Sequence, residues 1–211
     1  MGKVILVGAG PGDPGLLTVK GREALAQADV VVYDRLVSPA ILDLIPAKAR
    51  RIDVGKNAGC HPVPQEEINR ILLEEGSGNQ VVVRLKGGDP FLFGRGGEEL
   101  ELLARHGVLF EEVPGITSAI AAPAYAGIPV THRDFCSSLH IITGHRRAGE
   151  KLDIDFEALC RTKGTLVFLM GVSALPDICA GLLAAGMDGS TPAAVVERGT
   201  TPDQRQIGRA S

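Results

Sequence analysis

The stretch Lys3-Val4-Ile5-Leu6-Val7-Gly8-Ala9-Gly10-Pro11-Gly12-Asp13-Pro14-Gly15 changes abruptly in character, and that change decides the fold class. Residues 4–7 are apolar and rich in β-branched side chains but too few for a helix, so they read as a buried strand. The glycines and prolines that follow punctuate the chain and form a loop at the carboxyl end of that strand. The arrangement returns where the run 81–85 gives way to Lys86-Gly87-Gly88-Asp89-Pro90-Phe91-Leu92-Phe93-Gly94-Arg95-Gly96-Gly97-Glu98-Glu99. Further strand-like runs at 30–33, 51–54 and 109–113 alternate with helical patterns at 18–28, 39–45, 64–75 and 97–106. The third helix is the best marked. Pro64 suits a first turn, Glu66 and Glu67 lie near the positive end, and Ile68, Ile71 and Leu72 share one face. Strands alternating with helices predict an α/β fold with a mostly parallel sheet.

The pattern changes at Pro114. Residues 114–129 are small and apolar with Gly and Pro at both ends, after which strands are predicted at 139–143, 165–169 and 193–197. Two α/β lobes, 1–114 and 115–211, are therefore expected, with a cleft between them, each of about the length that holds a core of its own. The polar stretch 144–155 reads as an exposed loop of the second lobe. Glycine supplies 27 of the 211 residues, nearly double the usual share of about 7%, which assigns it backbone work in loops of this kind.

Composition excludes several functions. A net charge of −3, aromatic residues at 4% and basic pairs only at Arg50-Arg51 and Arg146-Arg147 leave neither an electrostatic footprint nor a stacking platform for nucleic acid. Residues 113–131 are interrupted by Pro114, Pro123 and Pro129, so no membrane span is predicted. The first strand is too short for the core of a signal peptide, so export is not expected. Cys60, Cys136, Cys160 and Cys179 are widely spaced with no C-x-x-C pair, which fits reduced thiols in the cytoplasm rather than a disulfide framework or a zinc ribbon. His132, Cys136 and His140 are four apart but run into a strand and have no acidic companion, so no metal site is expected.

The first glycine loop imitates a dinucleotide fingerprint without completing it. In that fingerprint a third glycine lies three residues past the second and a helix starts at once, so that its amides meet a pyrophosphate. Here Asp13 takes that place, where it repels phosphate, and Pro11 and Pro14 remove two amide donors. Both glycine loops lie at strand carboxyl ends, where open α/β sheets bind ligands. Paired glycines admit a ligand close to the backbone, and Asp89 accepts hydrogen bonds from ammonium or hydroxyl groups. A zwitterionic, hydroxyl-bearing ligand suits such loops better than a polyphosphate. Asp34, at the end of the second strand, stands where a dinucleotide enzyme places its ribose-binding acid.

Seven segments in order and spacing carry a resemblance. GAGPGDPGLLT (8–18), YDRLVS (33–38), VGKNAGCHPVPQEEIN (54–69), RLKGGDPFLFGRGGEE (84–99), VPGITSA (113–119), ITGHR (142–146) and FLMGV (168–172) together resemble the uroporphyrinogen III C-methyltransferases, a branch of the tetrapyrrole methylases. The resemblance covers essentially the whole chain. GGDP alone marks the wider superfamily, and the stretch around Lys56 and the FGRGGEE loop narrow it. The resemblance implies a class III methyltransferase fold, a homodimer, and two methyl transfers from S-adenosylmethionine to uroporphyrinogen III to give precorrin-2, with S-adenosylhomocysteine as the other product. A related precorrin methyltransferase, an NAD-binding oxidoreductase and an inactive binding module are the alternatives.

By the same resemblance Pro11, Gly87, Gly88, Asp89, Leu92, Thr117, Ser118, Met170 and Gly199 hold the cofactor. Asp34 becomes a proton acceptor rather than a ribose ligand, and Lys56 a proton donor. The implied substrate bears acetate and propionate groups on every pyrrole, so an acidic chain must gather cations locally. Arg35, Arg84, Lys86, Arg95, Arg133 and Arg146 are candidates because guanidinium forks suit carboxylates. Arg35 and Arg95, inside matching motifs, rank first. Members usually run some tens of residues further through a closing β element, so the second lobe is expected to be truncated at Gly208-Arg209-Ala210-Ser211.

Overall fold

The computed structural model describes residues 2–55, 63–145 and 152–209. Strands β1 (Lys3–Gly8), β2 (Val30–Tyr33), β3 (Arg50–Asp53), β4 (Val81–Lys86) and β5 (Leu109–Val113) make one all-parallel sheet in the order β3-β2-β4-β1-β5. Parallel strands need crossovers, and α1 (Val19–Ala26), α2 (Pro39–Leu42), α3 (Gln65–Gly76) and α4 (Gly96–Arg105) stand between them in the chain. Because both faces are covered, β1 and β4 are buried almost end to end.

Side-chain alternation sorts the sheet into two cores. Ile5, Val7, Val31, Val83, Leu85 and Val113 face Ala24 and Leu25 of α1 and Ile41 of α2. Val4, Leu6, Val30, Val32 and Val82 face Ile68 and Leu72 of α3 and Leu100 and Leu103 of α4. Leu72 and Leu103 are fully buried, each contributing about 1.5–3 kcal/mol. Local signals agree with this packing. Thr18 Oγ1 accepts from the Gly21 amide at 3.1 Å to cap α1, and Glu66 and Glu67 occupy the first turn of α3.

The chain divides into two compact units, Met1–Ser118 with Thr200–Asp203, and Ala119–Gly199 with Gln204–Ser211. The later elements are α5 (Ser118–Tyr125), β6 (Leu139–Thr143), α6 (Phe156–Thr162), β7 (Thr165–Leu169), α7 (Leu175–Ala184), β8 (Ala193–Glu197) and β9 (Arg205–Arg209). β6 and β7 pair in parallel, while β8 and β9 form an antiparallel pair. The strands expected at 139–143, 165–169 and 193–197 are all present; α5, α6, α7 and β9 were not anticipated. The helix expected over 39–45 ends at Leu42. The expected loop at 144–155 lies partly outside the described residues, among which no helix is long and apolar enough to cross a membrane.

Candidate active site

In the sheet order β3-β2-β4-β1-β5 the chain leaves β1 across β4 toward β2 by way of α1 on one face, and leaves β4 across β1 toward β5 by way of α4 on the other. The loops after these neighbouring strands therefore diverge onto opposite faces at their carboxyl ends, a topological switch point of the kind at which open α/β sheets form a crevice. Ligands of open α/β sheets bind at such a point. The two loops are pinned at their bases by reciprocal backbone bonds. Gly10 N donates to Gly88 O at 3.2 Å, and Gly88 N to Gly10 O at 2.7 Å. A third segment, entering from β5, presses in at Gly115. A Cβ added to Gly8 would lie 2.4 Å from Gly115 Cα, and one added to Gly115 would lie 2.2 Å from Gly88 O. Side chains are therefore excluded from this junction. Gly88 has φ +68, and a Cβ there would meet only Thr117 Cα, at 3.9 Å, so its outer face is open to a ligand.

Asp89 fastens the same loop. Its Oδ1 accepts from the amides of Phe91 at 2.9 Å and Leu92 at 3.1 Å, and its Oδ2 from Gly115 N at 3.1 Å. Three of roughly four acceptor positions are thus occupied, so Asp89 shapes the loop first and has about one position left for a ligand. The loop after β1 is held by Ser38 Oγ, which donates to Gly12 O at 2.7 Å, and by Thr200 Oγ1, which accepts from Asp13 N at 3.3 Å. No helix starts at the third position of the glycine motif. A single 3-10 turn at Pro14–Leu16 intervenes, with Asp13 as its cap, and α1 begins only at Val19. The dinucleotide arrangement, which needs that helix at once, is not formed.

Beneath the crevice the apolar layer becomes ionic. Arg84 and Lys86 share the face of Val82, and both are buried with Glu99 of α4. Lys86 Nζ donates to Glu99 Oε1 at 2.8 Å, Gln65 Nε2 reaches the same oxygen at 3.2 Å, and Arg84 Nε lies 3.5 Å from it. Arg84 then donates from Nη1 to Leu85 O at 2.8 Å and from Nη2 to Asp34 Oδ2 at 3.1 Å. Burial, with the neighbouring Arg84 charge, pushes the Lys86 ammonium below its ordinary value, against the pull of Glu99. Arg84 and Lys86, candidates for substrate carboxylates by sequence, are thus engaged inside the protein, because strand alternation turns them under α3 and α4. Glu99 escaped the sequence reading although it carried a signal. It lies four residues before Leu103 and next to Leu100, on the apolar face of its helix.

Asp34 is half-buried after β2, its Oδ1 accepting from Leu36 N at 3.0 Å. Arg35 is exposed beside it with no charged partner among the described residues. Arg95, at φ +57 before α4, makes a two-pronged pair with Glu98, from Nε at 2.9 Å and from Nη2 at 2.6 Å. That bond holds the guanidinium above its ordinary value. Arg95 therefore is not a waiting cation, but an exposed pair costs little to exchange. Pro11, Gly87, Leu92 and Thr117 belong with Gly88 and Asp89 to the loops of the first unit, which ends at Ser118, the first residue of α5, whereas Met170 (φ +56, exposed) and Gly199 belong to the second. Gly199 touches α5, since a Cβ there would lie 2.4 Å from Ala122 Cβ. Lys56 and Arg146 lie outside the described residues. No cluster of His, Cys, Asp and Glu among the described residues has metal-binding geometry.

Residues 3–211 match the model of the tetrapyrrole (corrin/porphyrin) methylases. The chain belongs to this family. Among curated tetrapyrrole-related proteins, it is 62% identical over 206 residues to porphyrin biosynthesis protein HemD of Ruminiclostridium josui, matching 98% of this chain and 41% of that protein. It is 57% identical to an Escherichia coli siroheme synthase, across 98% of this chain and 45% of that protein. The methylase chain thus spans less than half the length of these relatives. Uroporphyrin-III C-methyl transferase from Thermus thermophilus, complexed with S-adenyl homocysteine, superposes with a TM-score of 0.84 at 44% identity, over 99% of this chain and 88% of that one. A cobalt precorrin-4 methyltransferase gives 0.83 at 33% identity, over 97% and 84%. The open crevice, the side-chain-free junction and the Asp89-braced loop are therefore features of a tetrapyrrole methylase.

Proposed function

We propose that this chain transfers methyl groups from S-adenosylmethionine to uroporphyrinogen III, twice, to give precorrin-2. The observation that carries the reading is the likeness, over nearly the whole chain, to a uroporphyrin-III C-methyl transferase solved with S-adenyl homocysteine. The loops fit the cofactor, since the outer face of Gly88 is open where a Cβ would stand, and hydroxyl-bearing Thr117 and Ser118 follow on the adjoining segment. Pro11, Gly87, Gly88, Asp89, Leu92, Thr117 and Ser118 would hold it, and the family likeness gives Met170 and Gly199 cofactor roles as well.

When bound, the sulfonium cofactor supplies an electrophilic methyl group that an electron-rich pyrrole carbon attacks without help from a strong base. The protein handles the proton. A pyrrole ring that has gained a methyl cation must lose a proton, and Asp34 has about two acceptor positions free after its bonds to Leu36 N and Arg84. Lys56 is proposed as the donor on the family likeness. Arg35 and Arg95 are proposed to pair with substrate carboxylates, Arg95 by exchanging Glu98 for substrate. The enzyme is proposed to act as a cytoplasmic homodimer; the free thiols of Cys136, Cys160 and Cys179 fit that compartment.

The test is incubation with S-adenosylmethionine and enzymatically generated uroporphyrinogen III. Absorbance of the dimethylated product with stoichiometric S-adenosylhomocysteine is expected. Cofactor binding without turnover on this substrate would refute the assignment.

A further inference from the structure

We propose that Glu99 is a positioning residue which acts through Arg84 to aim the Asp34 carboxylate at the substrate, an inference that rests on the function proposed above. Burying two cations and a carboxylate between a strand and two helices is expensive, and such groups are often replaced by apolar residues without loss of stability. A layer of this kind at the carboxyl end of β4, on a face otherwise formed by Val4, Leu6, Val30, Val32 and Val82, has to be explained by what it holds in place.

What it holds is the guanidinium plane. Arg84 is 2% exposed, and its fork is hydrogen-bonded at two points and faces an anion at a third. Nη1 is on Leu85 O, Nη2 on Asp34 Oδ2, and Nε faces Glu99 Oε1 at 3.5 Å. Without Glu99 the Nε edge faces no anion, and the plane is held only from its Nη end, by Leu85 O and by the Asp34 carboxylate it is meant to aim. Lys86 cannot substitute, because it is a cation itself and repels Arg84. Glu99 is anchored in turn by Lys86 at 2.8 Å and Gln65 at 3.2 Å, while Asn69 Oδ1 accepts from the same Gln65 amide at 3.0 Å. Glu99 is 1% exposed, and its Oε2 and Arg84 Nε have no hydrogen-bond partner. The chain α3 to Glu99 to Arg84 to Asp34 thus runs from the helical layer to the one member that reaches the crevice, Asp34, whose side chain is 22% exposed. Arginine does not give up its proton, so the chain orients charge and does not conduct it.

The test is Glu99→Gln, which keeps size and one acceptor oxygen but loses the charge. Turnover should fall roughly 10- to 100-fold, within the range for displacing a reacting group by up to about 1 Å, while S-adenosylhomocysteine affinity stays unchanged. In an Asp34→Asn background the same substitution should have no further effect, because the group it positions is already disabled. An equal fall in both backgrounds, or none in the wild type, overturns the proposal. If Glu99→Gln does not fold, Glu99→Gln with Lys86→Met removes one anion and one cation together and must show the same dependence on Asp34. A readout without turnover separates this inference from the assigned reaction. The Arg84 Nε–H resonance should exchange slowly in the wild type and be averaged in Glu99→Gln. That change in a protein inactive on uroporphyrinogen III would remove the assigned substrate but keep the positioning; an Arg84 signal indifferent to Glu99 would overturn the positioning itself.

Discussion

Gly88→Ala separates backbone strain from ligand contact within one side chain. At φ +68 an L residue costs about 1–2 kcal/mol relative to glycine, and for a chain of this length each kcal/mol lowers Tm by about 2–4 °C, giving a fall of about 2–8 °C. The added methyl meets nothing in the protein closer than Thr117 Cα at 3.9 Å, so the fold tolerates its volume. A bound cofactor against that face must yield to it, at about 1–3 kcal/mol, or roughly 5- to 150-fold in Kd. Gly107 supplies the matched control. It has φ +67 and nothing within 4 Å of a Cβ, in the turn between α4 and β5. Thermal melts should show similar losses for Gly88→Ala and Gly107→Ala, while calorimetry with S-adenosylhomocysteine should show weakened binding only for Gly88→Ala. Equal affinities for the two variants would remove Gly88 from the cofactor site.

Asp34→Asn should leave S-adenosylhomocysteine affinity intact and lower turnover about 100-fold or more, the usual range for removing a positioned base; loss of affinity with normal turnover at saturating cofactor would make Asp34 a binding residue. Arg95→Ala should weaken uroporphyrinogen III binding by roughly 1.5–3 kcal/mol while sparing the cofactor, as measured by separate titrations. Lys20 and Lys3 hold the Glu111 carboxyl down to about 2, so its contribution to stability is complete above about 4.5 and is lost as pH falls through about 2. Denaturant melts of wild type and Glu111→Gln should accordingly differ at neutral pH, by a small amount because the pair is partly exposed, and converge in acid. Gly181→Ala places a methyl 2.4 Å from the Phe156 ring and should destabilise the second unit by about 1–3 kcal/mol; an unchanged melt would mean that α6 and α7 move apart freely.

Where burial and β-propensity coincide, sequence and structure agree. Val81-Val82-Val83 and Val30-Val31-Val32 are unmistakable because parallel strands covered on both faces need apolar side chains in both directions. Arg205-Gln206-Ile207-Gly208-Arg209 forms β9 with one large apolar residue, since an antiparallel partner supplies its backbone bonds and burial is not required. Residues 118–125 hid a helix behind Pro123, a breaker by propensity that tertiary packing overrides. In the site, the glycine loops were legible because φ and close approach leave no other residue type. The ionic layer was not, because a charge at the end of a strand reads as solvent-facing until the register shows which side lies under a helix. Arg84 and Lys86 sit on the same side as Val82, and only the packing of Glu99 against them reveals it.

The meeting of Gly8, Gly88 and Gly115 also limits how the crevice can be rebuilt. Three loops are here in backbone contact, with no side chain between them to absorb a change. Grafting the Gly87–Gly96 loop of a relative with a different substrate would carry a new path for the Gly88 carbonyl, and that carbonyl lies 2.2 Å from where any Cβ at Gly115 would stand. The transplantable unit is therefore the three strand ends together, and a chimera joined within any one of them brings two mismatched backbones into the same space.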